Sequence, residues 1–116
     1  MSIIASRIYH VDGEPSLRVS INKPYLDEYG SYFCEYEIDG PKTQIKSSFG
    51  GADEMQALLH AIYMIRLLLE TCDEYLEGRL SLDGVKDYFG LPDPALDPPH
   101  PDLAGTWGGG VLKAKP

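Results

Sequence analysis

Histidine, cysteine and tryptophan are scarce in this chain, at three, two and one in 116 residues. That scarcity removes most of the usual sites for chemistry. His10, His60 and His100 stand far apart, with no H-x-x-x-H and no C-x-x-C spacing, so neither a zinc site nor a histidine-based catalytic centre has a local frame. Cys34 and Cys72 read as small buried apolar residues rather than a disulfide or a redox pair. The Gly108–Gly110 run with Lys113 lacks the Ser or Thr and the helix of a phosphate loop, and no G-x-S-x-G occurs. Glu35 and Glu37 stand two apart, the strand spacing that puts both on one face, where an acid–base pair can be built. An outward sheet face beside a lysine explains them more simply. No catalytic residue, metal ligand or cofactor is assigned.

Basic residues and long apolar runs are also in deficit. Ten lysines and arginines face eighteen acids, for a formal charge of −8 and a pI near 4.7. A nucleic-acid surface needs the opposite balance, whereas an acidic exterior suits a basic protein partner, or solubility alone. No stretch reaches the roughly 20 apolar residues that span a bilayer. The opening MSIIASRIYH has neither the basic start nor the apolar centre of a signal peptide. The expectation is a cytoplasmic chain with no membrane or nucleic-acid partner.

What is present is one long apolar-periodic stretch, Gly50 to Glu77. On a wheel at about 100° per residue, Met55, Leu58, Ile62, Ile65, Leu69, Cys72 and Leu76 fall on one line. Ala57, Ala61, Met64, Leu68 and Tyr75 widen that line into the stripe of an amphipathic helix lying flat on a sheet. Asp53 and Gln56 form a D-x-x-Q start like a capping box. Gly50-Gly51 frees the chain to turn into the helix, and Gly78 is placed to end it. Asp73, Glu74 and Glu77 then meet the negative end of the helix dipole, a mild misfit. The opposite face holds Gln56, His60, Glu70 and Glu74, but also Leu59, Tyr63 and Leu67. This second apolar ridge needs a cover: a returning tail or loop, a second copy of the chain, or a dedicated partner.

Ahead of the helix, Ile3–Val11, Leu17–Asn22, Tyr32–Ile38 and Thr43–Phe49 read as strands, with turn signals at Asp12-Gly13 and Asp39-Gly40-Pro41. Leu17, Val19 and Ile21 alternate with polar neighbours, as do Cys34, Tyr36 and Ile38. The short turn between the last two strands makes them antiparallel and sets Lys46 on the side of Glu35 and Glu37. The fold class expected is α+β: a two-layer sandwich of an antiparallel four-stranded meander packed on the one long helix that follows it. After Gly78, Asp83-Gly84 divides two short apolar pieces, which leaves a fifth strand or a small hairpin open. Residues 1–90 make the domain. Residues 91–116 make an irregular tail rich in proline and glycine, with Leu96, Leu103 and Trp107 spaced to dock on a groove.

The run Gly51-Ala52-Asp53-Glu54-Met55-Gln56-Ala57-Leu58 resembles the G-x-D-x-x-Q-A-L helix start of a family of small uncharacterised bacterial proteins, a domain of unknown function. Ala5-Ser6-Arg7 and the stretch Phe33 to Gly40 extend the likeness, which reaches Glu77 and not the tail. The resemblance implies a bacterial cytoplasmic origin and a compact α+β unit, and it implies no activity.

Small, acidic and free of motifs, the chain is expected to be a protein-binding module of the immunity or inhibitor kind, covering a basic toxin or enzyme. Tyr25, Asp27, Glu28 and Tyr29 in one loop, with Glu35 and Glu37 on the outward strand face, are the candidate contacts. The rival is a structural module, a homodimer through Leu59, Tyr63 and Leu67. A small ligand-binding protein or enzyme would need a pocket between sheet and helix or tail, and one lined by His10 or His60 with a carboxylate would favour it.

Overall fold

Two Asp-Gly pairs make the tightest turns. Asp12 and Gly13 have φ of 55° and 82°, and Asp83 and Gly84 have φ of 51° and 79°. Two successive left-handed residues give the twist that a two-residue hairpin requires. The first pair joins β1 (Ile3–Val11) to β2 (Glu14–Asn22), and the second joins β6 (Leu80–Leu82) to β7 (Val85–Lys86). The structure, a computed structural model, describes residues 2–93. The expectations for His100, the glycine run and the docking residues Leu96, Leu103 and Trp107 lie outside the described residues.

Between the hairpins come β3 (Tyr25–Leu26), β4 (Tyr32–Asp39) and β5 (Gln44–Gly51). Pro24 has no N–H to donate, so pairing stops at Asn22 and resumes beyond it. β5 runs along all of β4, from Tyr32↔Gly51 to Asp39↔Gln44, so β2 and β3 share the other edge of β4. All these pairings are antiparallel, and the expected antiparallel meander is present in β1, β2, β4 and β5, with Lys46 opposite Glu37. The sheet nevertheless has seven strands. The extra width comes from β3 and from the β6–β7 hairpin, which returns after the helix to pair His10↔Ser81 and Val11↔Leu80 on the free edge of β1. That return settles the segment after Gly78 as a small hairpin.

The long helix is two. α1 spans Glu54–Thr71 and α2 spans Asp73–Leu76. At the break the Thr71 hydroxyl turns back to the carbonyls of Leu67 (3.3 Å) and Leu68 (3.1 Å), competing with the continuing backbone ladder. Cys72 is extended, with ψ of 154°, and its carbonyl accepts the Leu76 N–H at 3.0 Å. Asp73 and Glu74 therefore lie in the first turn of a new helix, which removes the expected dipole misfit for these two, while Glu77 remains at a helix C-terminus as the C-cap of α2. The same break leaves Leu76 67% exposed and brings Glu74 to 0%. Met55, in the first turn of α1, is also exposed. The apolar stripe is otherwise as expected: Ala57, Ala61, Ile65, Leu69 and Cys72 join Leu17, Val19, Ile21, Cys34, Tyr36 and Ile38 in one core.

At the helix start, the Asp53 carboxylate accepts the Gln56 N–H at 2.7 Å, and Gln56 Oε1 accepts the Ala52 N–H at 2.6 Å. Gly51 is there for contact rather than freedom, because a Cβ at that position would fall 2.4 Å from the Ala57 nitrogen. At the other end of the chain, Phe89 to Asp93 form a strap tied to both layers. Arg7 Nη1 donates to the carbonyls of Phe89 (3.0 Å) and Gly90 (2.7 Å), and the Tyr9 hydroxyl donates to that of Phe89 (2.6 Å). From α1, Arg66 donates to the Leu91 carbonyl (3.0 Å), with its guanidinium 4.6 Å from the centre of the Phe89 ring.

Candidate functional site

The corner where β3 leads into β4 is built around one carboxylate. Asp27 Oδ1 accepts the N–H groups of Tyr29 and Ser31, each at 2.9 Å, while the Asp27 N–H donates to the Ser31 carbonyl at 2.8 Å. Gly30, at φ 85°, closes the loop. Asp27, expected as a contact, thus has a local structural task, since an Asx side chain that bonds the next backbone groups fixes a turn. The loop it holds presents Tyr29 at 84% exposure, beside exposed Leu26 and Glu28.

Register carries this corner onto the outer face of the sheet. Tyr25 pairs with Phe33, their ring centroids 6.3 Å apart. Phe33, Glu35 and Glu37 then follow at period two along β4, on the side away from Cys34, Tyr36 and Ile38. Phe33 lies over Gly50, where a Cβ would meet its ring at 3.2 Å. Glu37 stands opposite Lys46, whereas Glu35 stands opposite Ser48 and has no cation across the strand. The register therefore puts Tyr25, Phe33, Glu35 and Glu37 on one face of the sheet, with Tyr25 and Phe33 at the end next to the Tyr29 loop and Glu37 toward the far end of β4. The sequence reading passed over Phe33, although strict alternation already put it on the face of the two glutamates.

The second expected surface is arranged differently. Of Leu59, Tyr63 and Leu67, only Leu59 is exposed, and Tyr63 and Leu67 are 7% exposed and pack with Phe49 and Met64. Neither His10 nor His60 lines the cavity between sheet and helix. His60 is buried, with Nδ1 2.9 Å from the Gly50 carbonyl, and His10 is in β1 opposite Ser81. A cavity of about 190 Å³ does open between sheet and helix, but its charged wall residue is Arg7. Both cysteines are free and buried. Among the described residues no group of three His, Cys, Asp or Glu side chains is placed to share a metal ion, and no helix is long and apolar enough to cross a membrane.

A wide antiparallel sheet with one helical layer defines an α+β domain of the two-layer kind. The chain belongs to the family described as a domain of unknown function, DUF6968, which matches residues 5–93. The match runs past Glu77 and takes in the β6–β7 hairpin and the strap. No curated protein and no solved structure matches the chain.

Proposed function

We propose that this chain is a small acidic protein-binding module, of the immunity or inhibitor kind, that covers a basic surface on its partner. The observation that carries the reading is the β3–β4 corner, where Asp27 holds Tyr29 outward at 84% exposure next to the Tyr25–Phe33 pair and the acids Glu28 and Glu35. Aromatic side chains held rigid lose little freedom on binding and are favoured anchors. The surrounding carboxylates speed the encounter with a cation-rich partner.

The test is the rate of association with a basic protein captured by the full chain. Replacing Glu28, Glu35 and Glu37 together by glutamine should slow association on the order of tenfold and flatten its salt dependence. Tyr29→Ala should instead raise the dissociation rate. If every captured protein binds the triple variant as fast as the parent, this surface is not the binding site. The rival homodimer is probed with Leu59→Asp, because Leu67 is buried and its replacement would test folding instead. A mass in sedimentation that halves with Leu59→Asp would favour the dimer.

A further inference from the structure

We infer that the cavity between sheet and helix is a binding site for a small carboxylic acid with a compact apolar body, such as an arylacetate or a six-carbon fatty acid. α1 lies chiefly over β4 and β5, so among the described residues the inner face of β1 and β2 near Ala5 and Ile21 is covered by the flank of the helix and by the strap. The gap that remains is bounded by Ala5, Ile21, Ile62, Ile65 and Leu91, with Arg7 in its wall, and measures about 190 Å³. An apolar hole of about 150 Å³ suffices for a benzene ring, so this one holds a ring and a short substituent.

Arg7 decides the ligand class. Both protons of its Nη1 are used on the carbonyls of Phe89 and Gly90, which are neutral acceptors and leave the charge uncompensated. Among the described residues Arg7 makes no ion pair, whereas Arg66, on the facing helix, is paired with Glu70 and Asp93. The guanidinium also meets the Tyr9 hydroxyl, a further neutral partner that leaves the charge unpaired. An arginine without an anionic partner is suited to take two oxygens of one planar carboxylate side by side. Gly90 makes room for this arrangement: it sits at φ 65°, and a Cβ there would lie 2.8 Å from Arg7 Nη1. In a chain of net charge −8, an unpaired cation in an apolar wall is a selective feature, because it attracts an acid that the rest of the surface repels.

Methyl and amide NMR of the full chain, titrated with sodium phenylacetate and separately with toluene, tests this. Phenylacetate should give saturable shifts at Ile62, Ile65, Val19 and Leu91, with a sub-millimolar Kd. Arg7→Gln should weaken it about tenfold or more while leaving toluene unchanged. Should Arg7→Gln fail to fold, Ala5→Leu keeps every Arg7 bond and fills the cavity from the exposed strand end, and it should abolish binding of both probes. The proposal falls if phenylacetate and hexanoate cause no saturable shift up to about 10 mM, beyond the range expected of ligands this size. It falls equally if toluene binds as tightly as phenylacetate, or if phenylacetate still binds the Ala5→Leu variant. None of these outcomes bears on the β3–β4 corner, which lies on the outer face.

Discussion

The carboxylate of Glu74 accepts the hydroxyl of Thr43 at 2.6 Å, across the gap between α2 and the turn joining β4 to β5. Its second oxygen accepts the backbone N–H groups of Lys42 (2.8 Å) and Thr43 (2.9 Å). The side chain is fully buried, and a Cβ on Gly40 would fall 2.7 Å from the same oxygen. The turn has its own backbone bond, from the Gly40 N–H to the Thr43 carbonyl at 2.7 Å, and the one acid takes the Lys42 and Thr43 N–H groups besides. Glu74 also pins the element after the helix break to the far end of the sheet.

Replacing Glu74 separates its geometry from its charge. Glu74→Gln keeps the shape but not the charge, and should lower stability by about 3 kcal/mol. Glu74→Leu strands two part-buried N–H donors and should cost more, with partial unfolding of α2 visible in hydrogen exchange. Thr43→Val removes a single bond at constant shape, for about 1–2 kcal/mol. Urea titration of the three variants gives the order; a Glu74→Leu as stable as the parent would remove the clamp.

Acid should release the same clamp. Burial pushes the Glu74 carboxyl up, but the bonds from the Thr43 hydroxyl and from the Lys42 and Thr43 N–H groups outweigh it and hold the group at about 2, against an ordinary 4.5. The folded value is the lower, so the contribution is fully present above the unfolded value near 4.5 and is lost as pH falls toward about 2. The total lost should be about 3 kcal/mol, the Glu74→Gln figure, because glutamine mimics the protonated acid. Stability measured from pH 6 to pH 2 should therefore fall more steeply for the parent than for Glu74→Gln.

Gly51 and Asp53 do different work at the same helix start. Asp53→Ala removes one cap bond and should cost about 1 kcal/mol. Gly51→Ala sets a methyl against the Ala57 backbone, which cannot yield without moving the first turn, and should cost about 3 kcal/mol. A melting temperature lowered by roughly 12–20 °C for Gly51→Ala is the expected reading. An Ala at 51 as mild as one at 53 would mean that the close approach is absent.

Both thiols should be silent toward a disulfide reagent until the chain unfolds. Burial, helped by the charge on Glu35, raises the Cys34 thiol to about 11, and burial also raises Cys72. Little thiolate exists at neutral pH, and the sulfur is shielded as well. Two equivalents should react in denaturant and almost none without it.

Local pattern was enough for the four long strands, the Asp12-Gly13 hairpin, the capped start of α1 and the stripe from Ala57 to Leu69, because period two, period 3.6 and turn residues are written in neighbouring positions. Tyr25–Leu26 reads as loop, and Asp83-Gly84 leaves a hairpin or a fifth strand open. The helix break was legible only in part. The acids Asp73 and Glu74 looked like a poor helix end, and they are the start of the next helix. Three features could not be read locally, since each joins residues far apart in the chain: Glu74 with Thr43, Arg7 with Phe89 and Gly90, and the pairing of Leu80 and Ser81 with β1. A sequence shows which side chains are polar. Only packing decides which of them lose water and must find each other instead, and here that selects the clamp, the strap and the cavity wall.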